Sequence, residues 1–274
     1  MRCAWDSLLG ILPRRMREEI DRLGRDNLLE LRLRRGAPPE LSMKTDSVWL
    51  DTVCSQADIA FVIQSASHYS PWTMESIKQG YLTAPGGHRI GLCGLSLYRN
   101  GSVTAIREIT SLCIRVARDF PGIAAGAPMT GSVLVLGAPG WGKTTLLRDL
   151  VRQRSGFQSV AVVDERGELF PEGFDTGRRT DILRGSRKRE GIEQVLRTMG
   201  PSCIALDEVT AEEDCDGLTR AAGCGVDILA TAHAGSMEEF LLRPAYRALM
   251  EKQIFQSVLV MTRDKCYRVE RATV

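Results

Sequence analysis

The sequence predicts an α/β protein of two domains, with a smaller α+β N-terminal domain over residues 1–125 and a larger α/β domain over residues 126–274. Three observations support this fold class. Residues 29–116 contain short alternating runs separated by turn residues, which is typical of an antiparallel sheet. Residues 124–131 are small and poor in charge, which indicates a boundary. Beyond them, apolar runs alternate with helical segments, as in a parallel sheet.

Composition narrows the class of partner. The chain has 274 residues with 36 Lys and Arg against 34 Asp and Glu, and its net charge is +2. No overall field therefore draws it to nucleic acid or to an anionic membrane, and we find no strong nucleic-acid signal. The eight cysteines include no C-x-x-C pair, which predicts reduced thiols in a cytosolic protein without a zinc site. We expect neither a targeting peptide nor a transmembrane helix.

In the N-terminal domain, the spacing of apolar residues predicts helices and short strands in turn. Residues 1–27 predict one or two amphipathic helices. Residues 29–35 (LELRLRR) alternate at period two and predict a half-buried strand, whose arginines either form a solvated face or bind an anion. The remaining predicted elements are strands at 41–43 and 48–50, helices at 57–67 and 73–79, a hairpin of 81–84 with 88–92, and strands at 103–109 and 111–116.

In the second domain, strands and helices are predicted in alternation. The predicted strands are residues 132–136, 160–163, 203–206, 227–231 and 255–261, with 266–269 completing a terminal hairpin, and the predicted helices are 144–154, 191–199 and 237–250, the last interrupted at Pro244. Residues 177–190 are rich in arginine and glycine and predict a mobile loop. Its basic residues could reach nucleic acid or a neighbouring subunit, or could be solvated; they are Arg178, Arg179, Arg184, Arg187, Lys188 and Arg189.

The most specific pattern is a glycine-rich loop between strand 132–136 and helix 144–154. Residues 137–144 (GAPGWGKT) fit the Walker A pattern G-x-x-x-x-G-K-S/T, whose glycines let successive N–H groups converge on a phosphate. Lys143 would place a positive charge between the β- and γ-phosphates, and Thr144 would offer its hydroxyl to Mg²⁺. The predicted nucleotide-binding residues are Gly137, Ala138, Pro139, Gly140, Trp141, Gly142, Lys143, Thr144 and Thr145.

Acidic residues follow two of the buried strands. Asp207 and Glu208 come after residues 203–206 and fit a Walker B motif, so we expect Asp207 to hold the Mg²⁺ shell and Glu208 to orient and deprotonate the attacking water. Glu165 follows strand 160–163 and could position water or metal, or form a salt bridge with Arg166. His233, after strand 227–231, could sense the γ-phosphate together with Thr231, or could be a structural histidine.

With these motifs placed, the chain resembles the stage III sporulation protein AA family, P-loop ATPases related to the type II and type IV secretion ATPases. The likeness runs over nearly the whole chain. It is carried by residues 31–34 (LRLR), 87–92 (GHRIGL), 109–118 (ITSLCIRVAR), 142–149 (GKTTLLRD), 163–166 (VDER), 206–208 (LDE) and 230–233 (ATAH).

The resemblance implies a RecA-like P-loop NTPase domain covered by the N-terminal domain, with ATP held between the two in a hexameric ring. It also implies a place in the mother-cell cytoplasm, at the inner face of a channel to the forespore with integral membrane partners. Arg89, Arg107 and Arg115 occupy positions comparable to arginines that reach the phosphates in secretion ATPases, although strand-surface arginines would look the same. Two positions depart from the family pattern: Trp141 in the loop, and Val209-Thr210 after the Walker B acids.

The sequence therefore predicts a Mg²⁺-dependent ATPase. Two alternatives from other classes stay open: a nucleotide-dependent nucleic-acid-binding protein that uses the basic segment 177–190, and a ring that binds nucleotide for assembly without hydrolysing it.

Overall fold

A computed structural model describes residues 2–272 except Ala4, Asp26, Lys44, 68–76, 78–79, 100–101 and Glu172. The chain divides into two compact units. The first comprises Met1–Asp119 and Pro171–Phe174, and the second comprises Phe120–Phe170 and Asp175–Val274. The boundary expected from the sequence, after residue 125, lies a few residues beyond the end of the first segment.

The first unit is built on a six-stranded antiparallel sheet with strand order β4-β3-β2-β7-β6-β5. A separate two-stranded ladder pairs β1 with β8. The elements in chain order are β1 (Arg2–Cys3), α1 (Trp5–Gly10), α2 (Arg14–Gly24), β2 (Glu30–Arg34), β3 (Glu40–Ser42), β4 (Ser47–Trp49), α3 (Gln56–Ser67), β5 (Tyr81–Ala84), β6 (His88–Arg99), β7 (Ser102–Arg115) and β8 (Arg118–Asp119).

The alternation of apolar and charged residues along β2 matches the buried and open faces of this sheet. Leu31 and Leu33 are fully buried, whereas Glu30, Arg32 and Arg34 lie on the more open face, as the period-two pattern predicts. The leucines join a core with residues of α1, α2 and α3. The half-buried strand and the amphipathic helices expected from the sequence are thereby confirmed.

The β6–β7 hairpin differs from the prediction. Residues 103–109 and 111–116 were expected as separate strands, but β7 is one strand that pairs with β6 through two irregularities in register. At the first of these, Glu108 takes a left-handed backbone conformation with φ of 46°. A local bend of this kind leaves the ladder continuous on both sides. The predicted helix 73–79 lies largely outside the described residues.

The second unit contains a seven-stranded sheet of order β11-β10-β12-β13-β9-β14-β15, in which all pairs are parallel except β14 with β15. Its elements are β9 (Val133–Leu136), α4 (Lys143–Arg154), β10 (Val160–Asp164), β11 (Thr180–Arg184), α5 (Lys188–Thr198), β12 (Cys203–Val209), α6 (Glu212–Gly223), β13 (Asp227–Ala232), α7 (Met237–Leu241), α8 (Pro244–Glu251), β14 (Ser257–Met261) and β15 (Tyr267–Arg271).

Both faces of this parallel sheet are covered. Alternate residues of β9 enter different cores: Leu134 and Leu136 pack with α5, α6 and α8, whereas Val133 and Val135 pack with α4. Strands buried on both faces read as continuous apolar runs, which is why their positions could be predicted. The α/β fold class expected from the sequence is confirmed.

Two expectations in this unit were wrong or incomplete. Residues 177–190 were predicted as a mobile loop, but Thr180–Arg184 forms the edge strand β11, paired in parallel with β10, and α5 begins at Lys188. An edge strand has one neighbour, so polar residues such as Asp181 are tolerated in it. Helix α6 was not predicted. In the part of the chain that the structure describes, no helix has both the length and the apolarity to cross a membrane.

Candidate functional site

The glycine-rich loop joins the end of β9 to the start of α4, as the sequence predicts. Gly140 and Gly142 have φ values of 78° and 100°, a left-handed region that residues with a β-carbon rarely adopt. At Gly137, a β-carbon would lie 2.8 Å from the β-carbon of Met261, so the close approach of β14 excludes any larger residue. The loop therefore has the backbone freedom that a phosphate cradle requires.

The loop borders a cleft of about 540 Å³ in the second unit. Eight of its lining residues were predicted as site residues: Pro139, Gly140, Gly142, Lys143, Thr144, Thr145, Glu208 and His233. Four others were not predicted: Phe120, Ile123, Met261 and Lys265. Trp141 is partly buried against the core that includes α4, and its backbone N–H donates to the carbonyl of Ala138 over 3.3 Å.

Lys143 is 5% exposed at the floor of this cleft. Its ammonium donates to the carbonyl oxygen of Ala138 over 3.2 Å and to Nδ1 of His233 over 2.9 Å. Burial lowers the pKa of Lys143 below its usual value, and the carboxylates of Asp207 and Glu208 oppose that shift only in part.

The contact between Lys143 and His233 bears on the tautomer of the imidazole. When Lys143 is charged, its ammonium can only donate, so Nδ1 of His233 accepts and carries no proton. The proton of the neutral ring is then on Nε2, which donates to Oε1 of Glu208. His233 thus links the loop lysine to the expected catalytic carboxylate.

Glu208 occupies an irregular point in β12. Leu206 pairs with Ala230 and Val209 with Ala232, so Asp207 and Glu208 together oppose the single residue Thr231. Such a bulge turns a side chain out of the regular alternation of the strand. Glu208 has a φ of 57°, which is strained for a residue with a β-carbon, and its N–H donates to the hydroxyl of Thr231 over 2.7 Å.

Both carboxylate oxygens of Glu208 are engaged. Oε1 accepts from His233, and Oε2 accepts from the guanidinium of Arg166 over 3.0 Å. Burial on its own would raise the pKa of Glu208, but the hydrogen bond from His233 and the positive charges of Arg166 and Lys143 outweigh it and lower that pKa below its usual value. The side chain is therefore an ionised acceptor at neutral pH.

The residues expected to hold Mg²⁺ are in direct contact. The hydroxyl of Thr144 donates to Oδ2 of Asp207 over 2.7 Å, and Oδ1 of Asp207 accepts from the hydroxyl of Thr231. Among the described residues, no group of three or more His, Cys, Asp and Glu side chains is arranged to hold a metal. Magnesium is commonly held by one or two protein oxygens together with phosphate oxygens and water, and this pair of oxygen donors fits that arrangement.

The salt bridge considered for Glu165 has a different partner. Oε2 of Glu165 lies 2.9 Å from the ammonium of Lys188, while Arg166 pairs with Glu208. Lys188 also lies 3.7 Å from Oδ2 of Asp214. Arg166 and Lys188 are thus two cations beside the site acids whose partners could not be assigned from their sequence neighbours.

Arg89, Arg107 and Arg115 all lie on the β6–β7 hairpin of the first unit, with exposed side chains. Arg89 and Arg115 are opposite each other across the two strands. The guanidinium of Arg89 lies 4.5 Å from the centre of the Tyr81 ring, and Nε of Arg115 lies 3.3 Å from Oε1 of Glu30. Their contact with phosphate stays a prediction.

Solved structures share this arrangement of elements. The ATPase DotB of Legionella pneumophila aligns with a TM-score of 0.59 at 18% identity, over 94% of this chain and 78% of that one. The pilus retraction motor PilT, solved with bound ADP, aligns with a TM-score of 0.65 at 16% identity, over 89% of this chain and 76% of that one. The class of protein is therefore an α/β protein with the fold of the ATPase DotB and the motor PilT.

Sequence comparison gives the family within that class. The chain belongs to the family described as Sporulation stage III, protein AA, whose model matches residues 5–270. It is 33% identical to stage III sporulation protein AA of Bacillus subtilis strain 168 over 284 aligned residues, covering 95% of this chain and 92% of the relative. It is also 24% identical to the protein SEEDLING PLASTID DEVELOPMENT 1 of Arabidopsis thaliana, over 89% of this chain and 36% of that protein.

Proposed function

We propose that this protein is a Mg²⁺-dependent ATPase that powers or assembles a channel between mother cell and forespore during endospore formation. The observation that carries the catalytic part is the chain of contacts from Lys143 through His233 to Glu208, at the rim of the glycine-rich loop. The ammonium of Lys143 and the ionised carboxylate of Glu208 line the same cleft, which supports a site where one binds phosphate and the other accepts a proton. The sporulation part is supported by the family to which the chain belongs.

The reaction would be attack of water on the γ-phosphorus of ATP, with cleavage of the bond to the β–γ bridging oxygen. The loop N–H groups and Lys143 bind the phosphates and neutralise the charge that develops on them. Glu208 orients the water and accepts its proton; each of its oxygens has a second lone pair beyond those used by His233 and Arg166. ADP and inorganic phosphate then leave.

Thr144 and Asp207 would hold magnesium beside the phosphates. When bound, the ion supplies positive charge to the phosphate oxygens. In this protein, the hydroxyl of Thr231 orients Asp207 and simultaneously receives the N–H of Glu208, so one side chain fixes the positions of both acids. Thr231 thus has a positioning role in addition to any contact with the γ-phosphate.

The assembly proposed here follows the family resemblance. It is a homo-hexameric ring in the mother-cell cytoplasm, peripheral to a membrane complex with integral membrane partners. Each subunit would have an N-terminal α+β domain over residues 1–125 and a RecA-like domain over residues 126–274. The names of similar structures support the energy-converting role, since one is an ATPase and another a retraction motor.

Part of the basic segment on which the nucleic-acid alternative rests is engaged within the second unit. Arg184 belongs to β11, and Lys188 and Arg189 belong to α5, whereas Arg178, Arg179 and Arg187 lie outside both elements. Three of the six are engaged within the second unit: Arg179 donates to the carbonyl of Phe157, Arg184 to that of Phe170, and Lys188 pairs with Glu165. The second alternative is a ring that binds nucleotide without hydrolysing it. It differs from the proposed ATPase in that no phosphate would be released.

A phosphate-release assay on the full-length protein tests the proposal. We expect ATP hydrolysis that requires Mg²⁺ and is insensitive to added DNA. Hydrolysis that rises with DNA and falls steeply with salt would favour the nucleic-acid alternative. Nucleotide binding without phosphate release would favour the assembly ring.

A further inference from the structure

Lys188 is a buried cation in an unfavourable place. It is the first residue of α5, and it is 8% exposed. The N-terminal end of a helix carries partial positive charge, so an ammonium is repelled there, and removing that ammonium from water adds a further cost. Nearby carboxylates offset this cost.

Two carboxylates face the ammonium from different elements. Oε2 of Glu165, which follows β10, lies 2.9 Å away, and Oδ2 of Asp214, in the first turn of α6, lies 3.7 Å away. Lys188 therefore ties together three elements that meet at the same edge of the sheet. The exposed fraction of the Glu165 side chain is 39%, so its carboxylate is anchored on one side and open on the other.

Asp214 extends this connection to the strand that carries Glu208. Its Oδ2 accepts the backbone N–H groups of Thr210 over 3.0 Å and Ala211 over 3.2 Å. These residues follow the end of β12 directly. The same carboxylate that faces Lys188 thus fixes the backbone just beyond the proposed catalytic glutamate.

A small polar cavity of about 60 Å³ lies beside Lys188 and Glu165. It is lined by Lys188 and Glu165 and also by Thr144, Asp207 and Glu208. The volume suits one or two water molecules, and the polar groups around it suffice to hold them. Glu165 therefore lines a space that it shares with Thr144 and Glu208 and that His233 does not line, and its carboxylate is in contact with Lys188.

We propose that Lys188 is a positioning residue of the ATPase reaction, which holds Glu165 as a second carboxylate toward the water beside Thr144 and Glu208. This rests on the proposed ATPase function. In this proposal Lys188 acts through its contact with Glu165. The neutral side chain of Lys188→Met would leave the carboxylate without its anchor, whereas Lys188→Arg would retain a cation at its side.

Steady-state ATP hydrolysis by the full-length protein tests this, with kcat and KM measured separately. For Lys188→Met we expect kcat to fall roughly ten- to a hundredfold, as is common for displaced catalytic groups, with KM nearly unchanged. Lys188→Arg should recover part of the loss. Lys252→Met is the matched control, because Lys252 is exposed and its ammonium contacts Thr219 away from both cavities.

The decisive comparison is a double variant. If Lys188 acts through Glu165, Lys188→Met should cost nothing further in a protein that already carries Glu165→Gln. Multiplying losses in the double variant would overturn the proposal, and so would a Lys188→Met protein with wild-type kcat. If Lys188→Met fails to fold, Glu165→Gln alone decides, because unchanged kcat there removes the role that Lys188 is proposed to support.

These results separate this proposal from the proposed function. A wild-type protein that releases no phosphate overturns both. A wild-type protein that hydrolyses ATP, with Lys188→Met equally active, overturns the role of Lys188 alone. An increase in KM with unchanged kcat would likewise contradict it, since Lys188 would then serve nucleotide binding.

Discussion

The ammonium of Lys143 donates a hydrogen bond of 2.9 Å to Nδ1 of His233. Through the opposite nitrogen of the same ring, His233 donates to Glu208. A phosphate in the loop would compete for the ammonium, and Nδ1 would then lose its donor. Occupancy of the loop and the hydrogen bonding of the proposed base are therefore linked through one imidazole.

This link predicts the tautomer of His233. In the nucleotide-free protein, we expect the neutral form with its proton on Nε2, because Lys143 can only donate to Nδ1. Nitrogen chemical shifts of labelled histidine report the tautomer directly. In Lys143→Met the Nδ1 donor is gone, and the shifts of His233 should change. Identical shifts in both proteins would show that the two side chains are not in contact.

Replacing the loop lysine should weaken nucleotide binding. Lys143→Ala removes the positive charge at the floor of the cleft, and we expect ATP affinity to fall by at least about tenfold, since charge-assisted hydrogen bonds are worth roughly 1.5–3 kcal/mol. Binding of a fluorescent ATP analogue measures this. Lys252→Ala, at an exposed lysine outside the cleft, is the control. Wild-type affinity in Lys143→Ala would remove the Walker A assignment.

The N-terminal unit offers a prediction about stability. Asp58, in the first turn of α3, accepts the N–H of Ser55 over 2.7 Å and Nε of Arg15 over 3.1 Å, while the hydroxyl of Ser55 accepts the N–H of Asp58 over 3.2 Å. This reciprocal pair is a capping box. We expect Asp58→Asn to lower the free energy of unfolding by about 1–2 kcal/mol at pH 7. Urea denaturation measures it.

The pH dependence of that difference follows from the pKa of Asp58. Burial on its own would raise it, but the hydrogen bonds from Arg15 and Ser55 lower it below the ordinary value of 3.8. The carboxylate's contribution is therefore fully present above that ordinary value, and it is lost as the pH falls through the lower value of the folded state. The difference in the free energy of unfolding between wild type and Asp58→Asn should become smaller in acid. Asp51→Asn, at an exposed carboxylate nearby, should show no such difference.

The arginines of the β6–β7 hairpin can be tested by Arg115→Ala. The Arg115 side chain is 69% exposed, and it forms an ion pair with Glu30. An exposed ion pair contributes little to stability, so the free energy of unfolding should be nearly unchanged in Arg115→Ala. If Arg115 reaches phosphate as the resemblance implies, kcat should fall by an order of magnitude or more, as for other arginines that stabilise charge in phosphoryl transfer. An unchanged rate with unchanged stability would leave it as a strand-surface residue.

Local chemistry made part of the site predictable. The loop from Gly137 to Thr144 needs fixed residue types at fixed spacing, and buried strands on either side gave its context. The pairing of Arg166 with Glu208, and of Glu165 with Lys188, depends on which strands are neighbours in the sheet and on the bulge at Glu208. The spacing of residues along the chain therefore could not predict these two ion pairs.

The errors in the fold have similar causes. In β11, Asp181 interrupts the apolar run, and one ladder with β10 stabilises the strand nonetheless. Helix α6 has a glycine, Gly217, in its middle, where a β-carbon would come within 3.0 Å of Ile192, so tight packing against α5 offsets its poor helix propensity. The acids Glu212, Glu213 and Asp214 in its first turn were the signal that could have located it.

The central claim is that Glu208 is the base of an ATP-hydrolysing site, and the variant Glu208→Gln tests it most directly. Glutamine keeps the size of the side chain and one acceptor oxygen, but its NH2 group replaces the other oxygen and it cannot accept the water's proton. Measuring ATP binding and phosphate release on the same preparation, we predict wild-type affinity for Mg²⁺-ATP with kcat reduced by about a hundredfold or more. Phosphate release at the wild-type rate by Glu208→Gln would contradict the account.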